Sequence, residues 1–502
     1  MDDNPTEWFQ SKILELEDDL KKQEVLLELK SVVMNSENSV LYGIAQQVSL
    51  HQVFKHLNKS DKNDIEVICI IIYELLKQLT PQELLKKYSD EIDDTLKHNS
   101  NDVKKIGLKL LEKSITDETI EYLIKSHILL FINVIECLAI SERSTAQCAI
   151  SALIKLGSNS KGLETLYSEL LCQKLQKVMS KNDISRFRVY EIVVGVSEIS
   201  SEHLSASTFL LKYLVSDVYS SDLLKQLNAF EILSNLAKTN HGLNYLVECN
   251  VIQKLVNKLL YINEEPLSYM LLPGLIEFFG NICIQQPESF VKEYPQVMSL
   301  LFNSLNTDDQ IVIGVIIITV GKLGSTCSGR NVLIQFPEQM NGFFKKCSEF
   351  LTTKSDITIS VLKTFGELLK NIEGNSECNE VTESWLNAMD SDAFDNITSL
   401  AKFPFPEFKL AALSFLLSIT THQWGVVKLC NSPGMIEFLL DRSSEIDKDC
   451  KQMKYDIICN IVQCKNVEQF LVPEVLQSLM EFVQEGPFHV PLEVELSTEG
   501  AT

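Results

Sequence analysis

The sequence predicts an all-α chain: an armadillo/HEAT-like α-solenoid, one continuous domain wound as a right-handed superhelix with an extended C-terminal tail. Three observations predict it. One helical phrase recurs at a near-constant interval. No strand-like alternation closed by Asn-Gly or Asp-Gly turns competes with it. Glycine and proline are scarce, at 19 and 13 in 502 residues. The plainest copy of the phrase is residues 222–260, DLLKQLNAFEILSNLAKTNHGLNYLVECNVIQKLVNKLL. It reads as an amphipathic helix to about Ala237, a loop with Asn240 and Gly242, and two further helical pieces.

With Asn235 as reference, one alignment column picks out Lys77, Lys113, Lys155, Gly195, Asn235, Asn281, Lys322, Glu367, Ser418 and Asn460. The spacings are 36, 42, 40, 40, 46, 41, 45, 51 and 42 residues, close to the roughly 40–47 of HEAT and armadillo units. Each unit buries its apolar stripe against its neighbours, so a length that suggests about three domains is absorbed into one core.

The elements follow in order. Residues 1–60 are expected as N-terminal capping helices, 61–485 as the repeats, and 486–502 as an acidic extended tail. Asp64, Asp102, Asp183, Asp222, Asp309 and Asp356 stand where helices begin and are expected as N-caps. Leu272-Pro273 falls inside a helical pattern. Proline lacks the backbone donor and clashes with the preceding turn, so a kink or helix start is predicted there. After Lys465 no Lys or Arg follows, and Phe488, Val490, Leu492, Val494 and Leu496 alternate with His489, Pro491, Glu493 and Glu495. That period of two predicts residues 488–496 lying extended on an apolar surface.

Charge narrows the partners. Forty-five Lys+Arg against 68 Asp+Glu leave −23, which repels phosphate backbones and favours basic protein surfaces. The acidic start, Met1-Asp2-Asp3, does not read as a secretory signal. The longest apolar stretch, Ile311 to Val320, is about half a membrane span. Thirteen cysteines in such a chain read as reduced thiols. The expectation is a monomer of the cytoplasm, and of the nucleus as well, binding neither nucleic acid nor membrane.

No catalytic, cofactor or metal site is predicted. Val320-Gly321-Lys322 lacks the Ser/Thr after the lysine and the glycine four residues before it that a phosphate loop needs. The eight histidines form no HExxH, and no CxxC exists.

Binding is the better reading. In armadillo proteins the helix ending in a phrase like SNLA lines the concave groove, where its Asn holds an extended peptide. Nuclear-import adaptors add Trp one turn earlier. Here the positions four before the column are Glu191, Glu231, Glu277 and Asp456, and Trp8, Trp385 and Trp424 make no ladder. Residues four apart share a helix face. The predicted partner-binding face is Glu191, Glu231, Asn235, Glu277, Asn281, Lys322, Asp456 and Asn460, suited to a basic, folded partner. Glu191, Glu231 and Glu277 are its principal acids. The alternative is an armadillo-type adaptor for extended basic peptides, in transport or as a scaffold.

More specific phrases occur in order. They are residues 182–191, NDISRFRVYE; Leu272-Pro273-Gly274 with Phe278-Phe279-Gly280-Asn281; and Gly314-Val315, Val320-Gly321 and Leu323-Gly324-Ser325. Thr382-Glu383-Ser384-Trp385, Phe405-Pro406-Glu407, Asn431-Ser432-Pro433-Gly434, Asp441-Arg442 and Glu485-Gly486-Pro487-Phe488 follow. From about Asn182 to Val490 the chain resembles the 26S proteasome non-ATPase regulatory subunit 5 family, armadillo/HEAT-like chaperones of proteasome base assembly. The resemblance implies a non-enzymatic chaperone that binds the C-terminal domain of the AAA-type ATPase regulatory subunit 7. It further implies an assembly intermediate with regulatory subunit 4 and non-ATPase subunit 2, which the chaperone leaves before the particle matures.

Overall fold

The computed structural model describes residues 5–489 other than 19, 263–267, 373–376, 444 and 446. They form 30 α-helices and four short 3-10 helices, with no strand among the described residues. The ten helices that carry the repeat column are numbered here. They are α1 (Lys62–Leu76), α2 (Asn101–Ser114), α3 (Arg143–Gly157), α4 (Asp183–Ser197), α5 (Leu223–Leu236), α6 (Leu272–Gln285), α7 (Gln310–Gly324), α8 (Asp356–Leu369), α9 (Pro406–Ile419) and α10 (Lys448–Gln463).

Contacts divide the chain into two compact units, Met1–Glu248 and Cys249–Thr502. In the first, helix Lys22–Asn35 packs on α1, and α1 to α5 then stack side by side in chain order. In the second, α6 to α10 form the same kind of row, closed by helix Pro473–Glu485. In each unit the column marks helix ends: Lys77 caps α1 and the other nine column residues lie in the last turns of α2 to α10.

The stacking is close because small residues sit at the crossings. A Cβ on Gly280 would stand 2.4 Å from Thr319 Cγ2, and one on Gly321 would stand 2.7 Å from Thr364 Oγ1. Thr364 also donates its hydroxyl to the Ile317 carbonyl at 3.1 Å, tying α8 to α7. In the C-terminal unit, α8 meets helices Pro337–Glu349 and Glu377–Asn387 in an aromatic cluster: Phe344 stacks on Phe365 at 4.9 Å and on Trp385 at 5.8 Å between ring centroids. The apolar stretch Ile311–Val320 belongs to α7, which buries Val312, Ile313, Ile316, Ile317 and Val320. Among the described residues no single helix is long and apolar enough to cross a membrane.

A second repeated device turns the chain out of each row. In four repeats a glycine seven residues past the column meets the backbone of the helix just ended. A Cβ on Gly162, Gly242, Gly329 or Gly425 would lie 1.9–2.1 Å from the carbonyl oxygen of Leu156, Leu236, Leu323 or Ile419. In three of them the preceding cap accepts from that glycine's N–H: Asn159 at 3.4 Å, Thr239 at 3.1 Å and Thr326 at 3.2 Å. Basic side chains then hold helix C-termini, where carbonyls lack partners. Column Lys113 donates to the Lys77 carbonyl, and column Lys155 reaches the Glu112 carbonyl at 2.6 Å. Arg330, fully buried, donates to the carbonyls of Gly324, Lys370 and Glu367 and to Asn379 Oδ1 at 3.1–3.4 Å.

The structure corrects four of the six expected caps. Asp222 and Asp309 do cap α5 and α7, accepting from two backbone N–H groups each. The caps of α1, α4 and α8 are instead Asp61, Asn182 and Ser355, and Ser100 precedes α2 without a side-chain bond. Asp64, Asp102, Asp183 and Asp356 lie in the first turn, where the helix dipole favours a carboxylate without any cap bond. At Leu272 a helix does begin, with Pro273 in its first turn after the 3-10 segment Ser268–Leu271. Helix Pro473–Glu485 ends at Gly486 with φ +86°, and Arg442 holds the Gly486 carbonyl at 2.6 Å. Of the alternating stretch 488–496, Phe488 is exposed, and the part from Val490 on lies outside the described residues.

Candidate partner-binding groove

Helices α4 and α5 begin alike. Asn182 Oδ1 accepts from Ser185 N at 2.8 Å, and Asp222 Oδ1 accepts from Leu224 N at 3.0 Å. Each cap is followed two residues later by an exposed aliphatic side chain, Ile184 or Leu224, and nine residues later by Glu191 or Glu231. These positions line a groove of about 900 Å³ between α3, α4 and α5. Its carboxylates are Asp183, Glu191, Glu198, Asp222 and Glu231, and its cations are Arg143, Arg188 and Lys225.

Most of that charge is spent internally. Lys225 pairs with Asp183 at 3.2 Å, joining α5 to α4. Arg188 is buried and donates to the Leu138 and Ile140 carbonyls at 2.7 and 2.5 Å, fixing the end of helix Ile120–Cys137. Asp222 is occupied as a cap. Glu191, Glu198 and Glu231 remain to face an occupant, with Arg143 beside Glu191 as the one groove cation not spent among the described residues. Burial raises the Glu191 carboxyl pKa, nearby Arg188 opposes the rise, and Glu231 adds to it. Burial raises Glu198 as well, against the pull of Lys238 and His241.

The sign of the Glu191 shift gives a test. A carboxyl whose native pKa is raised binds more protons folded than unfolded, so its contribution to stability falls as pH rises through the window above the ordinary glutamate value. Glu191→Gln is therefore expected to raise Tm at pH 7, with the advantage fading as pH falls below about 4, where both states are protonated. Thermal melts at the two pH values check this. An equal gain at both would leave the carboxylate's charge out of the account.

The structure brings three of the predicted residues together, Glu191, Glu231 and Asn235, and Asn235 Oδ1 already accepts from Lys238 at 2.7 Å. The other five belong to the C-terminal unit. Glu277 and Lys322 are exposed on α6 and α7. Asn281 is buried, and its Nδ2 has no hydrogen-bond partner among the described residues. Asn460 donates to Thr420 Oγ1 at 3.2 Å. Asp456 accepts from Gln452 at 2.9 Å and lines a groove between α8, α9 and α10 with Lys363, Glu407 and Asp449. Column reading missed Ile184, Leu224, Glu198 and Arg143. The signal for the first two was available: each stands two residues past a capping Asn or Asp. No group of three His, Cys, Asp or Glu could hold a metal ion among the described residues.

Rows of stacked helices with short return helices define the class: a HEAT/armadillo-like helical-repeat solenoid. Yeast importin-beta superposes on 96% of this chain and 66% of its own, with a TM-score of 0.60 at 12% identity, a likeness of fold alone. The chain belongs to the 26S proteasome non-ATPase regulatory subunit 5 family; the family described as Proteasome non-ATPase 26S subunit matches residues 5–502. The subunit 5 protein of Bos taurus is 29% identical over 484 residues, 95% of this chain and 96% of that one. That of Mus musculus is 28% identical over the same length, and that of Drosophila melanogaster 31% over 330 residues, 65% of this chain and 64% of its own. The likeness extends into the N-terminal region, where the sequence phrases give no purchase.

Proposed function

We propose that this chain is a non-enzymatic chaperone of proteasome regulatory-particle base assembly. It binds the C-terminal domain of a AAA-type ATPase, regulatory subunit 7, within an intermediate that also carries regulatory subunit 4 and non-ATPase subunit 2, and it leaves before the particle matures. Family membership over nearly the whole chain is the observation that carries the reading. The groove between α3, α4 and α5 supports it physically. Glu191, Glu198 and Glu231 at its wall steer a basic surface and reject an acidic one, acting on specificity and association rate more than on raw affinity.

Affinity purification of the tagged chain from its own cells, with mass spectrometry, tests the proposal. The expected companions are the two ATPases and non-ATPase subunit 2 in near-equal amounts, without core-particle subunits. Recovery of intact proteasome would make the chain a resident subunit and overturn the chaperone reading.

A further inference from the structure

The groove has a pattern that charge alone does not require. Ile184 is 65% exposed and Leu224 67% exposed, each the second residue of its helix after an Asn or Asp cap. The same repeat position, eleven residues before the column, carries Met270 and Ile311 in the next two repeats, 45% and 69% exposed. In the last three repeats it carries Asp356, Glu407 and Asp449. Exposed aliphatic side chains at one position of four consecutive repeats are an ordered set rather than scattered apolar surface.

The spacing within the groove identifies what fits it. Ile184 to Glu191 and Leu224 to Glu231 are each seven residues, two turns of helix, so each pair shares a face about 10 Å apart along the axis. Neighbouring axes lie roughly 8–10 Å apart. The groove thus offers two aliphatic groups and, about 10 Å further along the helix axes, two carboxylates. An occupant lying along it needs an apolar side chain and a cation about 10 Å apart on one face. An extended strand rises about 3.3 Å per residue, so 10 Å is three residues and places the two side chains on opposite faces. A helix places residues i and i+7 on the same face at that distance. The repeat column gives no amide ladder for an extended backbone here, because the column residue of α4 is Gly195 and Asn235 is engaged by Lys238.

We infer that the groove between α3, α4 and α5 binds one amphipathic basic helix of a protein partner, its apolar residue seated between Ile184 and Leu224 and a Lys or Arg seven residues away facing Glu191 and Glu231. The inference rests on the partner-binding reading of this groove and specifies the partner's local structure.

The test uses the full chain and a fluorescein-labelled 20-residue peptide with leucines and lysines on one helical face at the i, i+7 spacing. A shuffled peptide keeps composition and charge but breaks the face. The first peptide is expected to bind at least tenfold more tightly than the shuffled one and to gain helical circular dichroism on binding. Ile184→Ser with Leu224→Ser is expected to weaken it about tenfold at any salt concentration. Glu191→Gln with Glu231→Gln should weaken it about tenfold at low salt and flatten the salt dependence. Leu129→Ser, at an exposed leucine outside the groove, should change nothing.

Equal binding of the shuffled peptide, binding without helix formation, or no effect of the paired serines would each overturn the inference. An equal loss with Leu129→Ser would reduce it to general adhesion and overturn it as well. If the peptide result fails while the ATPase domain still binds the wild-type chain, the helix inference falls and the proposed function stands. If the domain does not bind at all, the function falls first.

Discussion

Gly242→Ala is expected to destabilise the N-terminal unit by about 3 kcal/mol, whereas the same change at Gly314 should stabilise its helix by about 0.5–1 kcal/mol. The two glycines differ in what surrounds them. A Cβ at 242 would stand 2.1 Å from the Leu236 carbonyl oxygen and 2.7 Å from Thr239 Oγ1, so the return helix has to move off α5. A Cβ at 314 meets nothing within 4 Å, in the middle of α7. Three kilocalories correspond to a fall in Tm of roughly 6–12 °C in a domain of this size. Because α5 forms one wall of the groove, partner binding should weaken with it. Equal melting of the two alanine variants would remove the close glycine–carbonyl contact from the repeat's design.

Arg330→Met should be as severe in the C-terminal unit, costing about 3–5 kcal/mol. The guanidinium serves the ends of two row helices at once, Gly324 of α7 and Glu367 and Lys370 at the end of α8. Methionine fills much of the volume but leaves those carbonyls unpaired. Arg330→Lys should not rescue, since a single ammonium cannot span the fork that a planar guanidinium spans. The check is chemical denaturation of both variants. A lysine variant as stable as wild type would show that charge and not geometry holds the two ends.

The row architecture was legible in the sequence because every row helix ends within about one turn of the column residue in its repeat. Leu-rich faces followed by a polar break recur whatever residue occupies the column itself. Cap positions were read one to three residues late at Asp64, Asp102, Asp183 and Asp356, because the same electric field that favours a cap also favours a carboxylate in the first turn. The groove was half legible. Glu191 and Glu231 announce themselves by column spacing, but Arg188 looks like a binding cation and is consumed by two carbonyls of another helix. Lys113 and Lys155 likewise sit in the column as ties between repeats. Such assignments depend on tertiary neighbours that no local pattern encodes.

Recognition of a basic surface of a proteasomal ATPase by the groove of the N-terminal unit, proposed above, is measured by calorimetric titration. The full chain is titrated with the C-terminal domain of regulatory subunit 7 at several salt concentrations, beside the Glu191→Gln, Glu231→Gln variant. Saturable one-to-one binding that weakens with salt is expected in the wild-type chain, and in the variant an affinity about tenfold lower with a flatter salt dependence. Wild-type affinity and salt dependence in the variant would contradict it.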